Sequence, residues 1–272
     1  LTPLTQNISI PYASSATLTA ESSNQTIWYD TPESVIELSR NTYDTPILYE
    51  TDTFYVAALL ENVANEIVGT GTTTNSNDAA PTPFAYSKKQ VKEQYLWRAE
   101  ELSTLGEGVI NSLGFKVKSE SADVTMTNYT IKIGTTSEND LTTWITGLEE
   151  VYTGSITITK NPVTAEVWKD MTFATPFYYD GVSNLVVEIC FNTTTTTGKV
   201  KTYNTSTDFV STIVYHDNNN NACQYSGAPS ADYEKRPNVK FGINKYGCKS
   251  ERAPLVVAVA PPPACEVGLT EV

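Results

Sequence analysis

The stretch Met171–Asn192, MTFATPFYYDGVSNLVVEICFN, constrains the fold more than any other part of the chain. Its second half sets Leu185, Val186, Val187, Ile189 and Phe191 in a nearly unbroken apolar run that also holds Cys190. The run is too short to cross a bilayer, and its β-branched side chains lose rotamer freedom in a helix. It therefore reads as the central strand of a β-sandwich. The Asp180-Gly181 pair before it predicts a tight reversal, because Gly accepts positive φ and Asp hydrogen-bonds its own backbone. The stretch is thus strand, turn, strand.

An all-β protein is also what the composition favours. Only 18% of the 272 residues are charged, while 16 are Tyr and Thr is abundant, and both types suit a pleated, half-exposed surface. The formal net charge of −13 argues against nucleic acid and anionic lipid as partners. No run of about 18 apolar residues exists, so no membrane insertion is expected. Low charge together with 4 Cys points to an extracellular or cell-surface protein with one or two disulfides. The chain starts at Leu1 without a leader and is read as a mature chain or a piece of something longer.

Short strands separated by turn clusters open the chain: Ser15 to Ala20, Thr26 to Asp30, Thr45 to Tyr49 and Thr53 to Leu59. Trp28 is the expected core aromatic, with Tyr55 as its partner. Further strands are expected at 109–118, 126–133, 149–158, 168–173, 185–191, 200–204, 211–215 and 239–243, with a helical turn at 98–102. Eight or more strands with polar turns suggest two stacked antiparallel sheets of jelly-roll type.

The phrases ATLTA, TIWYDTPES and TFYVAAL resemble the immunoglobulin-like module repeated in giant secreted adhesins of Bacteroidota. That module closes with a Cys-x-Ser-x-Arg strand, which here appears only at Cys248 to Val259. QYLWRAEEL, INSLGFKV, NYTIKIGTTSENDL, TPFYYDGVSNLVVEICFN and RPNVKFG resemble a second, carbohydrate-binding-type jelly roll of the same adhesins. The resemblance implies an Ig-like sandwich, residues 1–62 plus 246–264, interrupted by a larger jelly-roll domain, 63–245. Residues 265–272 then form a linker or the start of a next repeat. Pro261-Pro262-Pro263 would stiffen that exit. By the same resemblance the chain is a non-enzymatic repeat of a cell-surface filament of the gliding-motility type, exported by type IX secretion. Its partners are then neighbouring repeats of the same chain, with surface glycans or other cells as outer contacts. Tension along such a filament would pass mainly through the Ig-like module. A dedicated carbohydrate-binding module is the rival reading.

Candidate sites are few. Cys190 and Cys223 flank a polar loop that a disulfide between them would pin, and Cys248 and Cys265 form the second candidate pair, although 4 Cys allow other connectivities. Asp217, Asn219 and Asn221 alternate like the start of a calcium loop, but that pattern's Gly at the sixth position and Glu at the twelfth are missing. A solvated Asn-rich turn is the reading preferred there over a calcium site, and no other cofactor is expected. Asp140 and Asp180 are further oxygen donors. His216 stands without a Ser or Cys motif, and the adjacent pairs Glu100-Glu101 and Glu149-Glu150 point to different sides of a strand or helix, so no catalytic residues are expected. For sugar binding, Tyr86, Tyr95, Trp97, Trp144, Tyr178, Tyr179, Tyr215, Tyr225 and Tyr233 are available as an aromatic platform, against a core role for most of them.

Overall fold

A computed structural model describes residues 2–76, 79–160, 167–193, 198–219 and 221–263. The strands in chain order are β1 (Ile8–Ile10), β2 (Thr17–Leu18), β3 (Thr26–Tyr29), β4 (Ser39–Arg40), β5 (Tyr43–Asp44) and β6 (Asp52–Val68). They continue with β7 (Thr73–Thr74), β8 (Gln90–Trp97), β9 (Gly108–Glu120), β10 (Val124–Thr136), β11 (Glu149–Ile158), β12 (Val167–Tyr179) and β13 (Asn184–Asn192). The last are β14 (Val200–Ser206), β15 (Thr212–Asp217), β16 (Ala231–Tyr233), β17 (Lys235–Pro237), β18 (Val239–Lys249) and β19 (Ala253–Val259). Helical structure among the described residues amounts to two single turns of 3₁₀ helix, at Ala99–Leu102 and Ala222–Gln224. The protein is all-β, its mostly antiparallel sheets packed as sandwiches. The chain separates into two compact units, residues 1–61 with 246–272 and residues 62–245.

In unit 1, β6 is the hub. Its first half pairs antiparallel with β3, Trp28 opposite Val56, and with β19, Leu255 opposite Phe54. The strand period of two puts Phe54 and Val56 on one face, where Trp28, Leu255 and Val257 close a core. Tyr55 points the other way. It lies opposite Tyr29 and packs with Ile27 and Ala57, so it is not the partner of Trp28 that the sequence suggested. The correction follows from the alternation, since neighbours on a strand cannot share a face.

Arg252 locks this unit's corner. Its guanidinium lies 3.6 Å from the Tyr29 ring and donates to the carbonyls of Thr31 at 2.8 Å, Pro32 at 2.6 Å and Ser34 at 2.5 Å. A planar fork with several donors can hold three carbonyls and a ring at once, which a lysine cannot. The first and last strands are also neighbours: β1 runs parallel to β19, with Ile8, Ser9 and Ile10 in register with Val257, Ala258 and Val259.

Unit 2 has a six-stranded antiparallel sheet in the order β11-β10-β13-β8-β15-β16, with β13 well inside it. Its second sheet is centred on β9, which pairs with β12, β14 and β18. Between them lies one large core that includes Tyr95, Trp97, Phe115, Tyr129, Ile131, Val187, Phe191 and Phe241. Alternation in β13 sends Leu185, Val187, Ile189 and Phe191 into this core and Val186, Glu188 and Cys190 to the outer face. The turn after β12 exists, with Gly181 at φ 78° and Asp180 accepting from the Val182 and Ser183 amides. It does not make a hairpin, however. β12 pairs with β9 and β13 with β8 and β10, so the turn carries the chain from one sheet to the other. A local turn sequence sets the change of direction, and distant pairing sets the partner.

Candidate binding pocket on the six-stranded sheet

The outer face of the six-stranded sheet carries charge where a sandwich strand would ordinarily be apolar or solvated. Three strands contribute one row, Lys132 of β10, Glu188 of β13 and Gln94 of β8, in direct register. In the next row Cys190, Lys92 and Tyr215 stand side by side on β13, β8 and β15. Lys92 is 8% exposed and Glu188 5%, while Gln94 is fully buried. The carboxylate of Glu188 lies 3.4 Å from the Lys92 ammonium and 3.7 Å from that of Lys132, and it accepts a 2.8 Å hydrogen bond from Gln94 Nε2.

Two loops wall this row in. Gln94 grips the first by its backbone, accepting from Ile145 N at 2.9 Å and donating to Ile145 O at 2.8 Å. This holds Trp144 with its ring centroid 4.5 Å from the Lys92 ammonium. Leu141 anchors the same loop among Leu96, Val186, Phe209 and Ile213. The second loop is pinned by a disulfide between Cys190 and Cys223, whose Cα atoms are 5.4 Å apart. From there Tyr225 stacks on Tyr215 with centroids 3.5 Å apart, and its carbonyl accepts from Lys92 at 3.0 Å. Gly227 O accepts from the Trp144 indole at 2.7 Å, which joins the two walls. Between them lies a cavity of about 600 Å³ lined by Lys92, Lys132, Thr143, Trp144, Glu188 and Pro229 among others. That is within the size range of small-ligand sites.

Of the aromatic platform expected from the sequence, only Trp144 lines this cavity, while Tyr215 and Tyr225 stack on each other in the adjoining wall. Tyr86, Tyr95, Trp97 and Tyr179 are buried in the core of unit 2, Tyr233 packs against it, and Tyr178 is exposed elsewhere. Asp217 and Asn221 spend side-chain oxygens on the turn itself, and Asn219 contributes its backbone amide. Asp217 accepts from the Asn219 amide at 2.7 Å and the Tyr215 hydroxyl at 3.2 Å, and Asn221 accepts from the Cys223 amide at 3.1 Å. Asp180 is likewise a turn residue. Partial burial opposes its ionisation, but hydrogen bonds from Ser183 and Val182 outweigh this and hold its carboxyl below the usual range. Asp140 accepts from the Val210 amide at 3.1 Å and lies 3.8 Å from Arg98. Among the described residues no group of three or more His, Cys, Asp or Glu side chains is close enough to hold a metal ion. Cys265 and the side chain of Cys248 lie outside the described residues, and with them the second disulfide pair.

His216 has its Nδ1 at 3.4 Å from the Tyr86 hydroxyl, and burial together with Lys88 lowers its pKa. Of the adjacent acidic pairs, Glu101 is tied to buried Arg236 at 2.5 Å and to the Arg98 amide at 2.9 Å. The sequence reading missed Lys92, Gln94, Lys132 and Glu188. A signal was present: Glu188 interrupts an apolar run, and Lys92 and Gln94 alternate with Val91 and Tyr95. Compared with known proteins, the sequence matches no family model and no curated protein.

Proposed function

We propose that the chain is a structural and adhesive repeat of a secreted cell-surface filament of the gliding-adhesin type, without enzymatic activity. In this reading unit 1, the Ig-like sandwich, carries load, and unit 2, the inserted jelly roll, makes contact. The observation that carries it is the parallel pairing of β1 with β19. If the two ends of the chain are pulled apart along these neighbours, the ladder between them is loaded in shear, so its bonds share the force instead of opening one by one. Side chains lengthen the clamp: Thr5 Oγ1 donates to Pro254 O at 2.7 Å, and Asn7 accepts from Val256 N at 2.9 Å. The Ala260 amide closes it on Ile10 O at 2.9 Å. Tension then by-passes residues 62–245 for as long as the clamp holds. The disulfide suits an oxidising, extracellular setting.

Single-molecule pulling from the two termini tests this. The expected trace shows the short extension of unit 1 first and the longer one of unit 2 second. The reverse order would refute the load-bearing role. A second reading, a dedicated carbohydrate-binding module, is favoured by the walled pocket at Trp144. The two are compatible if the pocket is the adhesive contact.

A further inference from the structure

The charges in the Trp144 pocket do not balance. Its lining holds two ammonium groups, Lys92 and Lys132, against one carboxylate, Glu188. Glu188 is already shared among Lys92, Lys132 and Gln94, and Lys92 is spent on Glu188, the Tyr225 carbonyl and the Trp144 ring. Lys132 is the cation with capacity left. Its side chain is 35% exposed, it reaches the cavity, and its approach to Glu188 at 3.7 Å is longer than a hydrogen bond. Glu150 lies opposite Lys132 across the β10–β11 pair, but it is exposed and not part of the cavity lining.

Such a buried cluster is a costly way to stabilise a sheet. Removing two charges from water commonly costs as much as their attraction returns, and an apolar face would pack as well. What the cluster does supply is a preorganised positive point beside an indole wall and the threonine backbone of residues 142–143, on a chain whose net charge is −13. A sugar ring carries hydroxyls for Thr142, Thr143 and Glu188 and an apolar face for the aromatic wall, and a carboxylate on that ring would complete the charge count at Lys132.

We infer that this pocket binds an acidic saccharide, a sugar whose ring bears a carboxylate, with Lys132 as the residue that selects the acid over its neutral counterpart. The inference rests on the pocket being the adhesive contact of unit 2. It follows that affinity falls as salt is raised, because the selecting cation is partly exposed.

The test is calorimetric titration of the full chain with methyl glucuronide and methyl galacturonide, with the corresponding neutral methyl glycosides and acetate as controls. The expected result is at least about tenfold tighter binding of an acid sugar than of its neutral counterpart, the factor that about 1.4 kcal/mol represents. That preference should vanish in Lys132→Gln and persist in Lys132→Arg, with unchanged circular dichroism in both. Equal binding of acid and neutral sugars, or a Lys132→Gln variant that keeps the preference, would overturn the selection while leaving a saccharide pocket in place. Acetate binding as tightly as the uronides would overturn the saccharide part. Binding of none of these would overturn the inference altogether, while the load-bearing role of unit 1, read by pulling, stands or falls separately.

Discussion

Glu93 shows how far a single residue can depart from what its position in the sequence suggests. Alternation along β8 turns it inward with Val91, Tyr95 and Trp97 to a site without solvent exposure. Burial raises its carboxyl to about 8, against the opposing hydrogen bonds from the Tyr95 hydroxyl at 2.5 Å and the Thr82 amide at 3.1 Å. The folded state therefore keeps a proton that the unfolded chain, with the ordinary value of 4.5, has released. Stability contributed at low pH is lost as pH rises from near 4.5 through about 8, at up to about 1.4 kcal/mol per unit of pH. Urea unfolding of unit 2 should show this decline, and Glu93→Gln should flatten it. An equal slope in the variant would mean that another group carries it. The inward Glu was readable from the alternation of QVKEQYLW, but that its partners among the described residues are a hydroxyl and an amide instead of a cation was not, because the fold decides which groups meet it.

At the scale of elements, the disulfide couples a strand to the pocket. Cys190 sits beside Lys92 across the β13–β8 pair, so the bond that fixes Cys223 also places the Tyr225 and Gly227 carbonyls over Lys92 and Trp144. Reduction, or the double substitution Cys190→Ala with Cys223→Ala, should cost roughly 2–4 kcal/mol in unit 2, given the 33-residue separation it closes. It should also weaken any pocket ligand more than it changes the far-ultraviolet spectrum, since the wall is a loop and the sheet does not depend on it. Trp144 fluorescence, followed during reduction, is the direct readout. The Cys190–Cys223 pair was proposed from sequence because a polar loop lies between them. The Asp180-Gly181 turn in the same stretch joins β12 and β13 without pairing them. Asp180-Gly181 decides only that the chain reverses, whereas strand pairing is decided by which faces are apolar and by what else is there to pair with.

At the scale of the whole molecule, the two units have separate cores, one around Trp28 and one around Tyr95, Phe115 and Phe191. Residues 62–245 expressed alone should therefore unfold in a single cooperative transition, with the pH slope of Glu93 intact. A non-cooperative or aggregated product would show that this unit depends on the other. Alternation, the apolar run at 185–191 and the scarcity of charge were enough to point to an all-β chain and its central strand, because alternation and an apolar run act within a few residues of themselves. Which strands lie side by side was decided only in three dimensions. β10, β13 and β8 are neighbours in space and not in the chain, and that order alone sets Lys132, Glu188 and Gln94 in one row beneath Trp144. A pocket made of residues some 90 positions apart has no period and no motif, so its chemistry becomes legible only when the sheet has closed.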